Sequence, residues 1–122
     1  MNIIYGGRGA GKTTRLIEKS GKDQGYIVCH SKGECSRIFA QAERMEINIP
    51  FPMTYAEFIA RDYRGKRISG FHIDNVDMLL SHLCGGVPLK TVTLSPFGSI
   101  TDLRIDKLDL KKLREKFGYI NE

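Results

Sequence analysis

The feature of this sequence that most constrains its fold is a glycine-rich stretch near the N-terminus, Gly6-Gly7-Arg8-Gly9-Ala10-Gly11-Lys12-Thr13. It follows a short apolar run from Asn2 to Tyr5 and precedes a helical pattern from Lys12 to about Ser20, with Gly21 at its end. The stretch fits the pattern G-x-x-x-x-G-K-[ST], whose expected context is a strand before and a helix after. This order predicts the first strand-turn-helix unit of an α/β fold.

The residue types in this loop are those that hold phosphate groups. Glycines accept positive φ values, so backbone N–H groups can turn inward, and the start of the helix adds its positive dipole end. Lys12 is expected to reach the β- and γ-phosphates, Thr13 to coordinate Mg²⁺, and Thr14 to reach the α-phosphate. The predicted nucleotide-binding residues are Gly6, Gly7, Arg8, Gly9, Ala10, Gly11, Lys12, Thr13 and Thr14. We expect ATP and Mg²⁺ as cofactors. ATP is favoured over GTP, because the guanine-reading pattern N-K-x-D does not occur in the sequence.

A second motif is an apolar run that ends in an acid, Phe71-His72-Ile73-Asp74. A carboxylate at the end of a buried strand suits the orientation of Mg²⁺, usually through a water molecule. The alternative is that Asp74 only caps the helix predicted to follow it. The two roles are compatible, and the sequence leaves both open.

Strands and helices alternate along the rest of the chain. The patterns predict buried strands at 2–5, 26–29 and 70–74, a strand at 90–94 that ends at Ser95-Pro96, and a fifth strand at 100–105. They predict helices at 32–45 with Ser31 as N-cap, at 55–63 with a Thr54/Glu57 capping box, at 76–84, and from Asp109 to Gly118. This alternation favours one domain over residues 1–122, an α/β three-layer sandwich with a mostly parallel central sheet.

Together, the glycine-rich loop and the Asp74 strand resemble P-loop NTPases of the additional-strand class, which includes RecA-like and AAA-like proteins, helicases and terminases. Gly6–Thr13 is similar to the GGRGxGK[ST] loop of phage large-terminase ATPases. The stretch Met53–Phe58, followed by Ile73–Asp77, is similar to the "TFHSF"-like and "DExQD" elements of superfamily 1 helicases. The resemblance implies a minimal P-loop NTPase core of phage type, an ATPase that works in nucleic-acid processing such as packaging.

The sequence departs from this family at the position after Asp74. The family usually has a glutamate there that polarises the attacking water, whereas this chain has Asn75, whose amide cannot accept a proton. Asp77 is the nearest substitute, so the candidate catalytic residues are Lys12, Asp74, Asn75 and Asp77. We expect slow hydrolysis by the chain alone. Ser95 is the candidate γ-phosphate sensor, with a plain Ser-Pro turn as the alternative.

The charge of the chain permits a polyanionic partner without requiring one. The 122 residues include 19 basic and 14 acidic ones, a net charge of +5, and DNA is the candidate partner. The candidates for an arginine finger are Arg61, Arg64, Arg67 and Arg104, with solvated surface charges as the alternative. Because many P-loop enzymes take this arginine from a neighbouring subunit, we expect a second copy or a larger protein partner.

Neither a membrane span nor a signal peptide is expected, because no apolar run is long enough and the N-terminus has no leader pattern. We therefore expect a cytoplasmic protein, in the host cytoplasm if it is phage-encoded, with reduced thiols. A zinc site is conceivable from the cysteines and nearby histidines, with buried or surface thiols as the alternative. These residues are Cys29, His30, Cys35, His82 and Cys84.

Two other functions remain open. The chain could bind ATP as a non-hydrolysing switch or assembly subunit, with Asn75 as the reason that turnover fails. Alternatively, it could be a small nucleoside or nucleotide kinase, because Lys12–Ile17 resembles the loop exit of thymidine kinases. Against the kinase, the chain has no room for a substrate lid or a zinc-bearing lasso.

Overall fold

The computed structural model describes residues 1–7, 9–95 and 98–103. Within them, strands and helices alternate: β1 (Asn2–Tyr5), α1 (Lys12–Asp23), β2 (Tyr26–Cys29), α2 (Lys32–Arg44), β3 (Met53–Thr54), α3 (Tyr55–Ala60), β4 (Phe71–Ile73), α4 (Val76–Leu83) and β5 (Ser99–Asp102). The described backbone divides into two compact units, one formed by the described residues of 1–12 and those after position 90, and the other formed by residues 13–90. The interpretation of residues 1–122 as one domain stays a prediction.

In the first unit, β1 and β5 form a two-stranded parallel sheet. Asn2 lies opposite Ser99 and Tyr5 lies opposite Asp102, and the Leu103 N–H donates to the Tyr5 carbonyl at 2.7 Å. The predicted strand at 2–5 is therefore confirmed, whereas the fifth strand, predicted at 100–105, begins one residue earlier, at Ser99, and ends at Asp102. The prediction that β1 is buried is wrong, because its two isoleucines are only half-buried and Tyr5 is exposed.

In the second unit, three parallel strands form a sheet in the order β3-β2-β4. Val28 lies opposite Met53 on one side and Ile73 on the other. Ile27, Val28 and Cys29 are fully buried, as expected of a continuous apolar run at the centre of a parallel sheet. The α/β class and the parallel pairing of its strands are thus confirmed.

Alternation along β2 divides the core of this unit between two clusters. Successive side chains of a strand point to opposite faces. Ile27 and Cys29 pack with Ile17 of α1 and Ile38 of α2. Val28 packs with the residues Met53, Tyr55 and Leu79, which come from β3, α3 and α4. Each face of the sheet is therefore covered by side chains from different helices.

Side-chain caps explain where α2 and α3 begin. The Glu34 N–H donates to the Ser31 hydroxyl at 3.1 Å, as the sequence predicted. At Thr54 both halves of the predicted capping box are present. The α3 helix is shorter than predicted and ends at Ala60, because Arg61 adopts a left-handed conformation with φ 57°. A chain of tight turns follows it.

The prediction that Gly21 ends α1 is wrong. The helix continues to Asp23, and Gln24 takes the left-handed position with φ 60° while its N–H donates to the Ser20 carbonyl at 2.7 Å. A Cβ atom at Gly21 would collide with the Cγ2 atom of Ile47. Gly21 therefore serves close packing inside the helix rather than its termination.

The predicted strand at 90–94 is not present. Residues 90–95 are irregular and exposed, with Val92 and Leu94 each 56% exposed. A β-branched pattern predicts a strand only where a neighbouring strand accepts its hydrogen bonds. Three other elements differ from their predicted ranges by one residue at an end: α2 ends at Arg44, α4 ends at Leu83, and β4 is one residue shorter at each end, Phe71–Ile73.

Some predictions lie outside the described residues. They concern Arg8, Pro96, Arg104 and the helix from Asp109 to Gly118. In the part of the chain that the structure describes, no helix is long and apolar enough to cross a membrane.

Candidate functional site

The glycine-rich loop connects the end of β1 at Tyr5 to the start of α1 at Lys12. Gly9 and Gly11 have φ values of 77° and 89°, which side-chain-bearing residues rarely adopt. The Ala10 N–H donates to the Gly7 carbonyl at 3.2 Å and closes a turn between them. The loop thus has the strand-before, helix-after context, and glycine stands where the backbone requires it.

The exposed side of this loop is open. A Cβ atom placed on Gly7, Gly9 or Gly11 would meet no atom of the described residues within 4 Å. At Gly6, by contrast, a Cβ would lie 3.1 Å from the Cβ atoms of Ala10 and Leu103, so this glycine allows the loop to pack against the segment after β5. Three glycines therefore leave space through which a ligand can approach the backbone.

The first residues of α1 are the predicted phosphate and metal ligands. Lys12, Thr13 and Thr14 are all half-buried in the first turn of the helix. The Thr14 hydroxyl accepts a hydrogen bond from the Gln41 Nε2 amide at 3.1 Å. This bond fixes Thr14 against α2 and leaves its hydroxyl proton to donate.

Asp74 follows β4 and is 5% exposed. Its N–H donates to the Val28 carbonyl at 2.9 Å, and its carbonyl accepts from the Tyr55 hydroxyl at 2.6 Å. The interpretation of Asp74 as a helix cap is wrong, because Asn75 is the N-cap residue of α4. Asp74 is thus a buried carboxylate at the end of β4, directly before the N-cap residue of α4.

Asn75 has a left-handed backbone, with φ 54° and ψ 68°. Outside glycine, asparagine and aspartate are the residues that adopt this conformation most readily. The Asn75 carbonyl accepts from the Met78 N–H at 2.9 Å and begins α4. The left-handed backbone therefore explains why an asparagine is suited to this position. Asp77 lies exposed in the first turn of α4.

Tyr55 contacts the turn that contains Asp74, and no sequence pattern indicated this. It is 2% exposed, and its hydroxyl lies 2.6 Å from the Asp74 carbonyl and 3.0 Å from the Asn75 carbonyl. Burial raises the pKa of Tyr55, and the negative charge of Asp74 adds to this. Tyr55 therefore stays a neutral donor that holds the turn between β4 and α4. The capping box predicts its helix, but no local pattern predicts where its hydroxyl lies.

Arg37 is a second missed residue. Its Nε atom lies 3.0 Å from both carboxylate oxygens of Glu34. These bonds to Glu34 raise the pKa of Arg37, and the negative charge of Asp74 contributes in the same direction. The guanidinium is therefore a cation within electrostatic range of Asp74, already engaged by one carboxylate. The position of Arg37 in α2 did not indicate that it lies near Asp74.

Asp102 was also missed, in the unit that contains the loop. It is 4% exposed and lies opposite Tyr5, the residue directly before the loop. The signal was an acid in the alternating pattern of the predicted fifth strand. Asp102 is thus a buried acid opposite the last residue of β1.

Other candidates are not placed in a built site. Ser95 lies exposed on irregular chain, so the argument that it ends a strand no longer holds. Arg61, Arg64 and Arg67 lie exposed between α3 and β4, and none of them forms an ion pair with a described residue. Their positions match the alternative of solvated charges as well as that of an arginine finger.

The cysteines form a pair of buried thiols. The Sγ atoms of Cys29 and Cys35 lie 3.3 Å apart, and burial raises the pKa of both thiols, so they stay neutral. Cys84 is a free thiol at the end of α4. Among the described residues, no group of three or more His, Cys, Asp or Glu side chains is arranged to hold a metal ion.

No protein-family model matches this sequence, and neither a curated protein nor a solved structure matches the chain. What the site can do therefore follows from its own residues.

Proposed function

We propose that this chain binds ATP with Mg²⁺ through the Gly6–Thr13 loop and hydrolyses it slowly in the processing of nucleic acid. The observation that carries the proposal is the loop itself, which joins a strand to a helix and has positive φ at Gly9 and Gly11. Backbone N–H groups in such a loop, with the helix start after it, favour phosphate oxygens. The fold that we propose is a minimal P-loop NTPase core, with a three-layer arrangement around one central sheet.

In this proposal the residues divide the work by chemistry. Lys12 contacts the β- and γ-phosphates, and the Thr14 hydroxyl donates to the α-phosphate. Thr13 and the buried Asp74 supply hydroxyl and carboxylate oxygens, the hard donors that Mg²⁺ prefers. One carboxylate suffices here, because Mg²⁺ in nucleotide sites is held mainly by phosphate oxygens and water.

Slow hydrolysis follows from the residue directly after Asp74, which is an asparagine and not a glutamate. Asn75 can position a water molecule but cannot take its proton, and we assign that proton to the exposed Asp77. The proposal places the chain in the cytoplasm, as a phage-type protein with DNA and a second copy or a larger protein as partners.

A second candidate function, a non-hydrolysing ATP switch or assembly subunit, is favoured by one observation. The left-handed backbone at Asn75 explains this residue without any catalytic role. A switch needs only the loop and the metal ligands, whereas an enzyme also needs Asp77 or another base. The two functions therefore differ in turnover and not in nucleotide binding.

Calorimetry on the full chain tests the binding part. Lys12→Ala is expected to abolish measurable binding of Mg-ATP, because it removes the cation that faces the terminal phosphates. Lys22→Ala, at an exposed lysine of the same helix, is the matched control and is expected to bind like the parent chain. Unchanged affinity in Lys12→Ala would contradict the proposal.

Single-turnover hydrolysis separates the enzyme from the switch. The parent chain is expected to release phosphate slowly, and Asp74→Ala is expected to remove that release. Asp77→Asn is expected to lower the rate by about 10²- to 10⁴-fold if Asp77 is the base. Full nucleotide binding without any release would leave the switch as the function.

A further inference from the structure

The turn between α3 and β4 carries a dense positive charge. Residues 61–67 contain four basic side chains and one acidic one, Asp62. The basic residues are Arg61, Arg64, Lys66 and Arg67, and all of them are exposed. Within the described chain none of the four forms an ion pair, so their charge is directed to solvent.

Packing of apolar and aromatic side chains holds the backbone of this basic turn, residues 61–67, in place. The ring of Tyr63 lies 5.0 Å from that of Phe71 and 6.2 Å from that of Phe58, and Ile68 packs on the same cluster. The Lys66 N–H also donates to the Tyr63 carbonyl at 3.1 Å. Because the backbone of the turn is already fixed, less conformational entropy is lost when a ligand binds to it.

A groove of about 190 Å³ adjoins the turn. Its lining includes Phe51, Tyr63 and Lys66. Phe51 is 49% exposed, and its ring is supported by Phe39 at a centroid distance of 5.2 Å. The volume is below that of pockets for drug-sized ligands, and it matches one planar ring better than a whole small molecule.

Two acidic side chains line the groove, and the negative charge of one of them is neutralised by a neighbouring lysine. The Glu57 carboxylate accepts from the Thr54 N–H at 3.0 Å and lies 3.1 Å from the Nζ atom of Lys32. Asp62 is the other acid, and it belongs to the turn whose four basic residues outnumber it. The surface as a whole therefore favours an anion.

We propose that the groove and the basic turn bind single-stranded nucleic acid. An unpaired base stacks on Phe51, and the phosphates beside it contact Arg64 and Lys66. Stacking on an exposed ring requires a base that is free of its partner strand, which favours single strands over duplexes. This inference deepens the proposed function by assigning the surface for the polynucleotide, and it does not depend on ATP binding.

Fluorescence anisotropy with a labelled oligothymidylate tests the phosphate contacts, using the full chain without nucleotide. The charge reversal Arg64→Glu/Lys66→Glu is expected to weaken binding by at least about tenfold and to lower the slope of log K against log salt by about 1.4. The control Lys22→Glu/Arg44→Glu makes the same charge change at two exposed residues away from the groove. It is expected to change binding by less than about threefold.

The stacking contact has its own pair of variants. Phe51→Ala is expected to weaken binding about 5- to 150-fold with an unchanged salt slope, because it removes a stacking surface and no charge. Phe51→Tyr keeps an aromatic face and is expected to bind like the parent chain. Circular dichroism on each variant checks that it is folded.

Three results would overturn the inference. The first is equal loss of binding in the two charge-reversal variants, which would indicate a general charge effect. The second is a duplex of the same sequence binding as tightly as the single strand. The third is competition by polyglutamate at equal charge concentration, which would indicate an acidic protein partner. None of these results bears on the Lys12→Ala calorimetry, so the two proposals fail separately.

Discussion

At the scale of single residues, the backbone conformation at Asp74 and Asn75 depends on a neighbour that is distant in sequence. The Tyr55 hydroxyl lies within hydrogen-bond distance of two successive carbonyls, those of Asp74 and Asn75. The second of these residues has a left-handed backbone. A turn of this kind is retained where surrounding contacts hold it, and Tyr55 is such a contact.

We predict that Tyr55→Phe destabilises the chain by about 1–3 kcal/mol, because it removes the buried hydroxyl that donates to the Asp74 carbonyl and changes little else. Tyr63→Phe is the matched control, since the Tyr63 hydroxyl makes no hydrogen bond to the described residues. Urea unfolding measures both free energies. Equal losses in the two variants would show that the Tyr55 hydroxyl does not stabilise the turn.

The sequence predicts the parts of the site that local patterns define. The loop pattern locates Gly9 and Gly11 at turn positions, and an apolar run that ends in an acid locates Asp74 after a strand. Tyr55 and Arg37 could not be predicted, because their roles arise when helices pack beside the turn after β4. A sequence pattern describes neighbours along the chain and not those across it.

At the scale of elements, the same division holds. β2 and the Ser31 and Thr54 caps are predictable, because an apolar run and a capping box each describe one local arrangement. The length of α1 is not, because it depends on whether Gly21 faces solvent or a packed side chain. The strand expected at 90–94 was wrong for a related reason, since strand formation needs a pairing partner.

We predict that Gly21→Ala destabilises the chain by about 1–3 kcal/mol, although alanine is the better helix former. The new methyl group would collide with Ile47, whose branched side chain has little rotameric freedom. Gly33→Ala in α2 is the control, because among the described residues its Cβ would meet only the Ser31 Oγ atom, at 3.9 Å. It is expected to be neutral or to stabilise by up to about 1 kcal/mol.

Thermal or urea unfolding of the double variant Gly21→Ala/Ile47→Ala completes this test. Removal of the Ile47 side chain makes room for the new methyl group, so the two changes are expected to cost less together than the sum of their separate effects. Strict additivity would mean that the collision with Ile47 is not the cause.

At the scale of the whole molecule, the ionisable groups set the pH range of stability. Hydrogen bonds from Arg37 hold the pKa of Glu34 below its ordinary 4.5, and the Thr54 N–H does the same for Glu57. As the pH falls below about 5, the unfolded chain takes up protons at these carboxylates before the folded chain does. Their contribution to stability is therefore present above that pH and is lost on acidification.

At the alkaline end, burial raises the pKa of the Cys29 and Cys35 thiols above their ordinary 9.0. The unfolded chain therefore loses these protons at a lower pH than the folded chain does. The free energy of unfolding falls as the pH rises past about 9. We therefore predict a plateau in the free energy of unfolding between about pH 5 and pH 8, measured by urea denaturation in the presence of reductant. Glu34→Gln/Glu57→Gln is expected to flatten the acid limb alone. The control Glu43→Gln/Glu46→Gln, at two exposed carboxylates, is expected to leave both limbs unchanged. If the acid limb keeps its slope in Glu34→Gln/Glu57→Gln, the Glu34–Arg37 pair of α2 and the capping box of α3 are not what acid removes.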